Sequence, residues 1–341
     1  MIKINLALQG GGAHGAFTWG VLDVLLQEPD IEISAVSGTS AGALNGAALK
    51  AGMLSGGHEG ARENLDWLWK KMGAQSGAGF PEWLSSYGPS FVSKALEYSM
   101  PFMMADMASR LMSPYAYGPF YSNPLKSIAQ EFHYEKVCSD DGLKLFICAT
   151  NVRTGKARVF RGAEISTDVL LASACLPTVF QAVEIDDLKT GRRDAFWDGG
   201  YTGNPALWPL FDQSLPDDLV IVNINPIERE ATPVTPQQIQ SRMNEISFNS
   251  ALLGELRAIS FAQRLIKDGA MKPGQMKDVK VHMIADDDLM NDLSATTKMV
   301  PIPAILNELK AAGERAAKGF LEQHRAKLGR ESSVNLTEIY G

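Results

Sequence analysis

Apolar and polar residues alternate along this chain in short blocks that switch between two periods. Ile2 to Leu8 is a short apolar run leading into three glycines, as expected of a buried strand feeding a tight turn. Phe17, Val21, Val24 and Leu25 then recur at helical spacing, which predicts a helix that begins soon after Gly15 and stops near Pro29. Ile31 to Val36 repeats the strand signal, and the small-residue stretch ALNGAALKAG repeats the helix signal. Strand–turn–helix twice over predicts a parallel α/β sheet, because parallel neighbours need a crossover connection.

From Leu143 strand signals return. LFICATNV and ARVFRG flank Arg153 to Lys156 and predict a hairpin with a glycine turn. Ser166 or Thr167 caps a helix running to about Ala174, with Pro177 beyond its end. AFWDGGYTGNP reads as a strand end meeting a glycine turn, and LVIVNINP as another core strand. Residues 237–267 predict a long amphipathic helix with Ile246, Leu253, Leu256 and Ile259 on one face. A strand (VKVHMIA) and a final helix over about 301–326 follow, and the polar ESSVNLTEIYG predicts an exposed tail. Residues 73–124 break the rhythm with glycine, proline and aromatics, and with Met100, Met103, Met104, Met107 and Met112. They read as an insertion, either a helical piece using methionine to fill gaps or an apolar lid over a cleft. One domain over 1–330, interrupted near 73–124 and closed by a polar tail at 331–341, is the expected organisation.

Composition narrows the partners. Of 341 residues, 45% are hydrophobic and 21% charged, enough apolar surface for a sizeable core. The net charge of −7, with no lysine- or arginine-rich block, argues against a nucleic-acid partner. Peripheral membrane contact stays compatible with that charge, since apolar burial alone can drive it. Cys138, Cys148 and Cys175 are an odd count without metal-ligand spacing, and Cys148 in LFICAT reads as a small buried hydrophobe. The sequence lacks a secretory signal pattern or a run of about 18 apolar residues. The expectation is a cytoplasmic protein, peripheral to the membrane at most.

Three short motifs carry the chemistry. Gly38-Thr39-Ser40-Ala41-Gly42 places a serine between an apolar strand and a helix, the context of a nucleophile elbow. Glycines bracket Ser40 because so sharp a turn tolerates little bulk. Gly10, Gly11, Gly12, Ala13, His14 and Gly15 follow the first strand, and backbone N–H groups of such a loop can converge on one anionic oxygen. The same loop fits a dinucleotide fingerprint, with Glu32 as a ribose ligand. The serine elbow that follows favours an oxyanion hole, because a cofactor unit has no use for it. Asp198, before Gly199 and Gly200, reads either as an ordinary turn aspartate or as a carboxylate aimed outward from a strand end.

In this order the motifs resemble the patatin-like phospholipase family, over roughly residues 4–210: LALQGGGAHGAF, VSGTSAGALNG, LASACLPTVFQAVEI and FWDGGYTGNPALWPL. The resemblance implies a three-layer α/β/α sandwich with a mainly parallel sheet. It implies hydrolysis of lipid acyl esters, phospholipid or lysophospholipid, through an acyl-serine and without a cofactor. Ser40 would be the nucleophile, Asp198 the general base, and Gly10 to Gly15 the oxyanion hole. One departure stands out: the family often has arginine or lysine where this chain has His14, so a permanent charge gives way to one expected to titrate near neutrality.

The alternatives are specific. His282 follows Ser40 and Asp198 in the chain order of a conventional triad, yet it lies inside a predicted strand and reads as structural. His58, His133 and His324 read as surface residues, and Asp286 to Asp288 as a solvated loop. A dinucleotide-binding oxidoreductase would leave Ser40 and Asp198 idle. A catalytically silent lipid-binding protein would keep the fold without turnover.

Overall fold

The computed structural model describes residues 1–75, 112–230, 232–272, 274–293 and 295–340. Its first strands and helices follow the apolar pattern closely: β1 (Ile2–Leu8), α1 (Ala16–Leu25), β2 (Ile31–Thr39) and α2 (Ala41–Gln75), the last broken at Gly56 and Gly57. The hairpin strands β3 (Lys144–Asn151) and β4 (Ala157–Arg161) come next, then α3 (Thr167–Ser173), capped by the Ser166 hydroxyl accepting from the Val169 N–H. Strands β5 (Val183–Asp187), β6 (Arg192–Asp198) and β7 (Asp218–Val222) precede the long α4 (Pro236–Lys267). β8 (Lys280–Ile284) and α5 (Pro303–His324) complete the main elements.

The strands form one sheet in the order β5-β6-β3-β2-β1-β7-β8, with β4 pairing to β3 outside this path. Pairings from β3 through β2, β1 and β7 to β8 are parallel, and those of β4, β5 and β6 antiparallel. Alternate side chains supply two cores. Leu6, Leu8, Val220 and Val222 pack with α1, α2, α3 and α5 on one face. Ala7, Leu219 and Ile221 pack with Leu252, Leu256 and Ile259 of α4 on the other. Helix, sheet and helix are thus stacked in three layers. The chain leaves β1 toward β2 and β3 on one side and places β7 and β8 on the other, so the crevice beyond β1 is a topological switch point.

Two expectations fail in instructive ways. Along α4, Ile246 is 55% exposed, and Leu252, not Leu253, reaches the core. The buried face instead runs Glu245, Phe248, Asn249, Leu252, Leu256 and Ile259, so half of it is polar or aromatic and an apolar-only template slips by one residue. The supposed exposed tail at 331–341 folds back as a short helix, Leu336–Tyr340, whose Leu336 is buried in the α4-side core. Val334, Ile339 and Tyr340, scattered among polar residues, are its anchors.

Residues 76–111, which hold most of the expected insertion with Met100, Met103, Met104 and Met107, lie outside the described residues. Its end is described. A 3₁₀ segment, Pro114–Phe120, sets the Tyr115 hydroxyl to accept from the Ala182 N–H and leads to Tyr121, whose hydroxyl accepts from the Gln181 N–H.

Candidate active site

Ser40 sits where β2 turns into α2. Its φ of +54° is the positive value that side chains other than glycine avoid, at a cost on the order of 1–2 kcal/mol. Its surroundings hold it there. The Ser40 carbonyl accepts from the Ala43 and Leu44 N–H groups and so opens α2. The Ser40 N–H donates to the Ser173 hydroxyl at 2.9 Å, and Ser173 in turn donates to the Cys148 carbonyl at 2.6 Å. A Cβ on Gly42 would lie 2.1 Å from the Leu8 carbonyl oxygen, and one on Gly38 would lie 2.4 Å from that of Gly42. The bracketing glycines therefore let the elbow press against the end of β1.

Asp198 reaches the same place from the other side. It ends β6 opposite Ala149, while the preceding β3 residue, Cys148, lies opposite Thr39. One strand therefore separates the carboxylate from the serine. The Asp198 carboxylate faces the Ser40 side chain, which acts to lower its pKa. Asp198 also accepts from the Gly200 N–H at 2.7 Å, and its own N–H donates to the Cys175 carbonyl at 2.8 Å. Gly199 and Gly200 form the 3₁₀ turn that Asp198 caps. Burial of the carboxylate, 1% exposed, pushes its pKa up to about 7, against the pull of the Gly200 N–H and Ser40.

The glycine loop lies directly against the elbow: a Cβ on Gly10 would be 2.6 Å from that of Ser40, and one on Gly15 would be 2.6 Å from that of Ala41. Sequence reading assigned Gly10 to Gly15 a single role, but the structure divides them. The Gly10 N–H is spent on the Asn204 side-chain oxygen at 2.7 Å and is not free for a reacting oxygen. No acceptor among the described residues pairs with the Gly11 or Gly12 N–H. Ala13 and His14 belong to the 3₁₀ turn Gly12–Gly15 and are buried.

His14 departs from expectation. It is 1% exposed, and its Nε2 is 2.8 Å from the Thr297 hydroxyl. Burial first, then the nearby Lys298 charge, lowers its pKa well below the ordinary histidine value. It is neutral at neutral pH and does not switch there.

His282 is elsewhere. On β8, separated from β2 by β1 and β7, it hydrogen-bonds Asp218 at 3.0 Å, and Asp218 also accepts from the Gly329 N–H. Glu32 starts β2, at the opposite end from the glycine loop, and pairs with Lys3. The ribose-ligand geometry of a dinucleotide site is therefore not formed. Among the described residues no group of His, Cys, Asp or Glu is placed to hold a metal ion, and no helix is long and apolar enough to cross a membrane.

Sequence reading missed the supports. Gln9, Asn204, Asn225 and Asn249 are fully or nearly buried beneath the loop and bond one another and its backbone. The usable signal was two asparagines at the apolar strand end in LVIVNINP, since buried amides need partners. Ser173 gave no signal beyond lying in LASACLP. Ser173→Ala strands the Ser40 N–H and lets the elbow drift, so kcat is expected to fall about 10- to 10²-fold in folded protein. Turnover of a soluble ester, with circular dichroism as control, checks this, and wild-type kcat would exclude the brace.

The structure is similar to VipD from Legionella pneumophila, at 15% identity and a TM-score of 0.42, over 94% of this chain and 67% of that one. It is also similar to a chain in the heterodimeric ExoU–SpcU complex from the type III secretion system of Pseudomonas aeruginosa, at 17% identity and a TM-score of 0.30. That match covers 96% of this chain but 61% of the other. No curated protein matches the sequence. The family model of patatin-like phospholipase matches residues 6–211, more than half of the chain and the whole span from the end of β1 past Asp198. The protein therefore belongs to the patatin-like phospholipase family and is a lipid acyl hydrolase.

Proposed function

We propose that the protein cleaves carboxylic esters of phospholipid or lysophospholipid through an acyl-serine intermediate, with Ser40 as nucleophile and Asp198 as general base. The observation that carries this reading is the strained Ser40 elbow set beside a buried carboxylate poised near neutrality. Asp198 takes the hydroxyl proton as the Ser40 oxygen bonds to the ester carbonyl carbon. The carbonyl oxygen becomes an oxyanion facing the Gly11 and Gly12 N–H groups. Asp198 returns the proton to the departing alcohol. A water then repeats the sequence on the acyl-serine, releasing the fatty acid and restoring Ser40. In this scheme the carboxylate serves the serine directly and no histidine takes part. Met112, Tyr115 and Tyr117, each about half exposed, support contact with a lipid surface, and Tyr115 bonds the segment between α3 and β5.

The test is Ser40→Ala with fluorophosphonate labelling and a panel of lipid esters. Wild type is expected to label at Ser40 and to turn over acyl lipids. The folded variant is expected to lose both, leaving below about one per cent of turnover. A folded Ser40→Ala that keeps several per cent of wild-type turnover means another nucleophile.

A further inference from the structure

A charged cluster lies behind the glycine loop that the ester chemistry above does not use. Glu245 of α4, 3% exposed, accepts from Arg229 at 2.8 and 2.7 Å, from Lys298 at 3.1 Å and from Arg242 at 3.4 Å. One carboxylate thus faces three cations. Burying such charges contributes little to stability, because desolvation offsets the attraction.

Lys298, on the short helix Ala295–Met299, connects this cluster to the loop in two ways. Its Nζ donates to the Asn225 side-chain oxygen at 3.1 Å. That contact turns the Asn225 amide so that its nitrogen faces the Gly10 carbonyl at 2.8 Å. The Lys298 carbonyl also seats against Gly12, where a Cβ would lie 2.1 Å from it and where φ is +59°. The adjacent Thr297 meets His14. The Gly10 carbonyl and the Gly11 N–H are opposite ends of one planar trans peptide. Pinning the carbonyl on Asn225 and Asn204 therefore aims the Gly11 N–H the other way, out of the buried amide network.

We infer that Lys298 is a positioning residue for ester cleavage, holding the glycine loop in its anion-accepting shape through Asn225 and through its carbonyl on Gly12. The inference rests on the Ser40 reading above. Excess positive charge behind the loop acts in the same direction, favouring an oxyanion over a neutral carbonyl.

Two ligands separate this role from a merely structural one. A trifluoromethyl ketone forms an anionic tetrahedral adduct with an active serine, whereas a non-hydrolysable ether lipid resembles only the bound ground state. In folded Lys298→Met, kcat and ketone affinity are expected to fall together by about 10- to 10²-fold, with KM and ether affinity within about twofold of wild type. Asn225→Ser removes the relay while leaving the Lys298–Glu245 pair, so it should show the same split even if Lys298→Met fails to fold. The double variant should be no worse than the poorer single one, because both act on one peptide. Wild-type ketone affinity in either folded variant, or equal weakening of both ligands, overturns the inference. Ser40→Ala keeps the two ideas apart. If it is inactive while both variants resemble wild type, only the Lys298 role falls; if it stays active, the Ser40 reading falls first.

Discussion

Asp198→Asn is expected to cost as much turnover as Ser40→Ala, whereas His282→Ala should leave substantial activity. The asparagine keeps the size of the side chain and an oxygen for the Gly200 N–H. What it loses is the basic charge proposed to receive the Ser40 proton. Loss of a general base costs about 10²–10⁴-fold, beyond what a packing change at this position would mimic. His282 is engaged with Asp218 near the far edge of the sheet, so its loss bears on local packing against Phe320 and not on proton transfer. His14→Ala should fall between, because it removes a contact to Thr297 that shapes the loop but no proton carrier. The measurement is kcat/KM on a short soluble ester for each variant, with circular dichroism establishing that it is folded. Folded His282→Ala as damaged as Asp198→Asn would replace the dyad with a triad.

The pH profile should show a single acid limb set by Asp198. With a pKa of about 7, the carboxylate is mostly protonated below neutrality and cannot take the serine proton. Each unit below about 7 should lower kcat/KM tenfold, so the value at pH 5 is about 100-fold under the plateau. His14 adds no limb near neutrality, since its pKa lies well below the ordinary value. Stability runs the opposite way. The folded-state pKa is raised above the ordinary aspartate value of 3.8, so the folded protein holds this proton more tightly than the unfolded chain. The stabilisation is complete below about 3.8 and is lost as pH rises through about 7. Above that, ionised Asp198 costs the fold at most about 4 kcal/mol. Asp198→Asn should therefore raise Tm at pH 8, with the gain shrinking toward pH 4. A Tm gain of equal size at both pH values would mean that the carboxylate is not the source.

What could be read in the chain was what is local. β1 with the glycine loop, and β2 with the serine elbow, each lie within about a dozen residues and declare themselves by apolar runs and glycines. Asp198 became legible only with the motif order, because its place beside Ser40 depends on β6 pairing antiparallel to β3. Ser173 and Asn204 act across more than a hundred residues of chain, on Ser40 and Gly10, and nothing in their neighbours marks them. His14 was misread because free histidine titrates near neutrality, and burial is not a local property of sequence. The tail was misread for the converse reason. Four anchoring side chains among polar ones show no period, yet they suffice to fill a gap against α4.

The division of labour along α4 bears on how the enzyme can be evolved. In its first half, Glu245 and Asn249 meet the charged cluster and the buried amides behind the glycine loop. In its second half, Leu252, Leu256 and Ile259 fill the second core. Among these, Glu255 takes the Leu207 and Trp208 N–H groups and ties the helix to the chain that follows Asn204. Random libraries over the two sets should therefore enrich for different traits. Selection at 252, 256 and 259 should act on heat tolerance while turnover holds steady; at 245 and 249 turnover and melting point should move together, because breaking a buried ion pair or amide contact destabilises the fold. Recombining winners from the two pools should combine both gains except where Asn249 and Leu252, neighbours on the same buried face, are both changed.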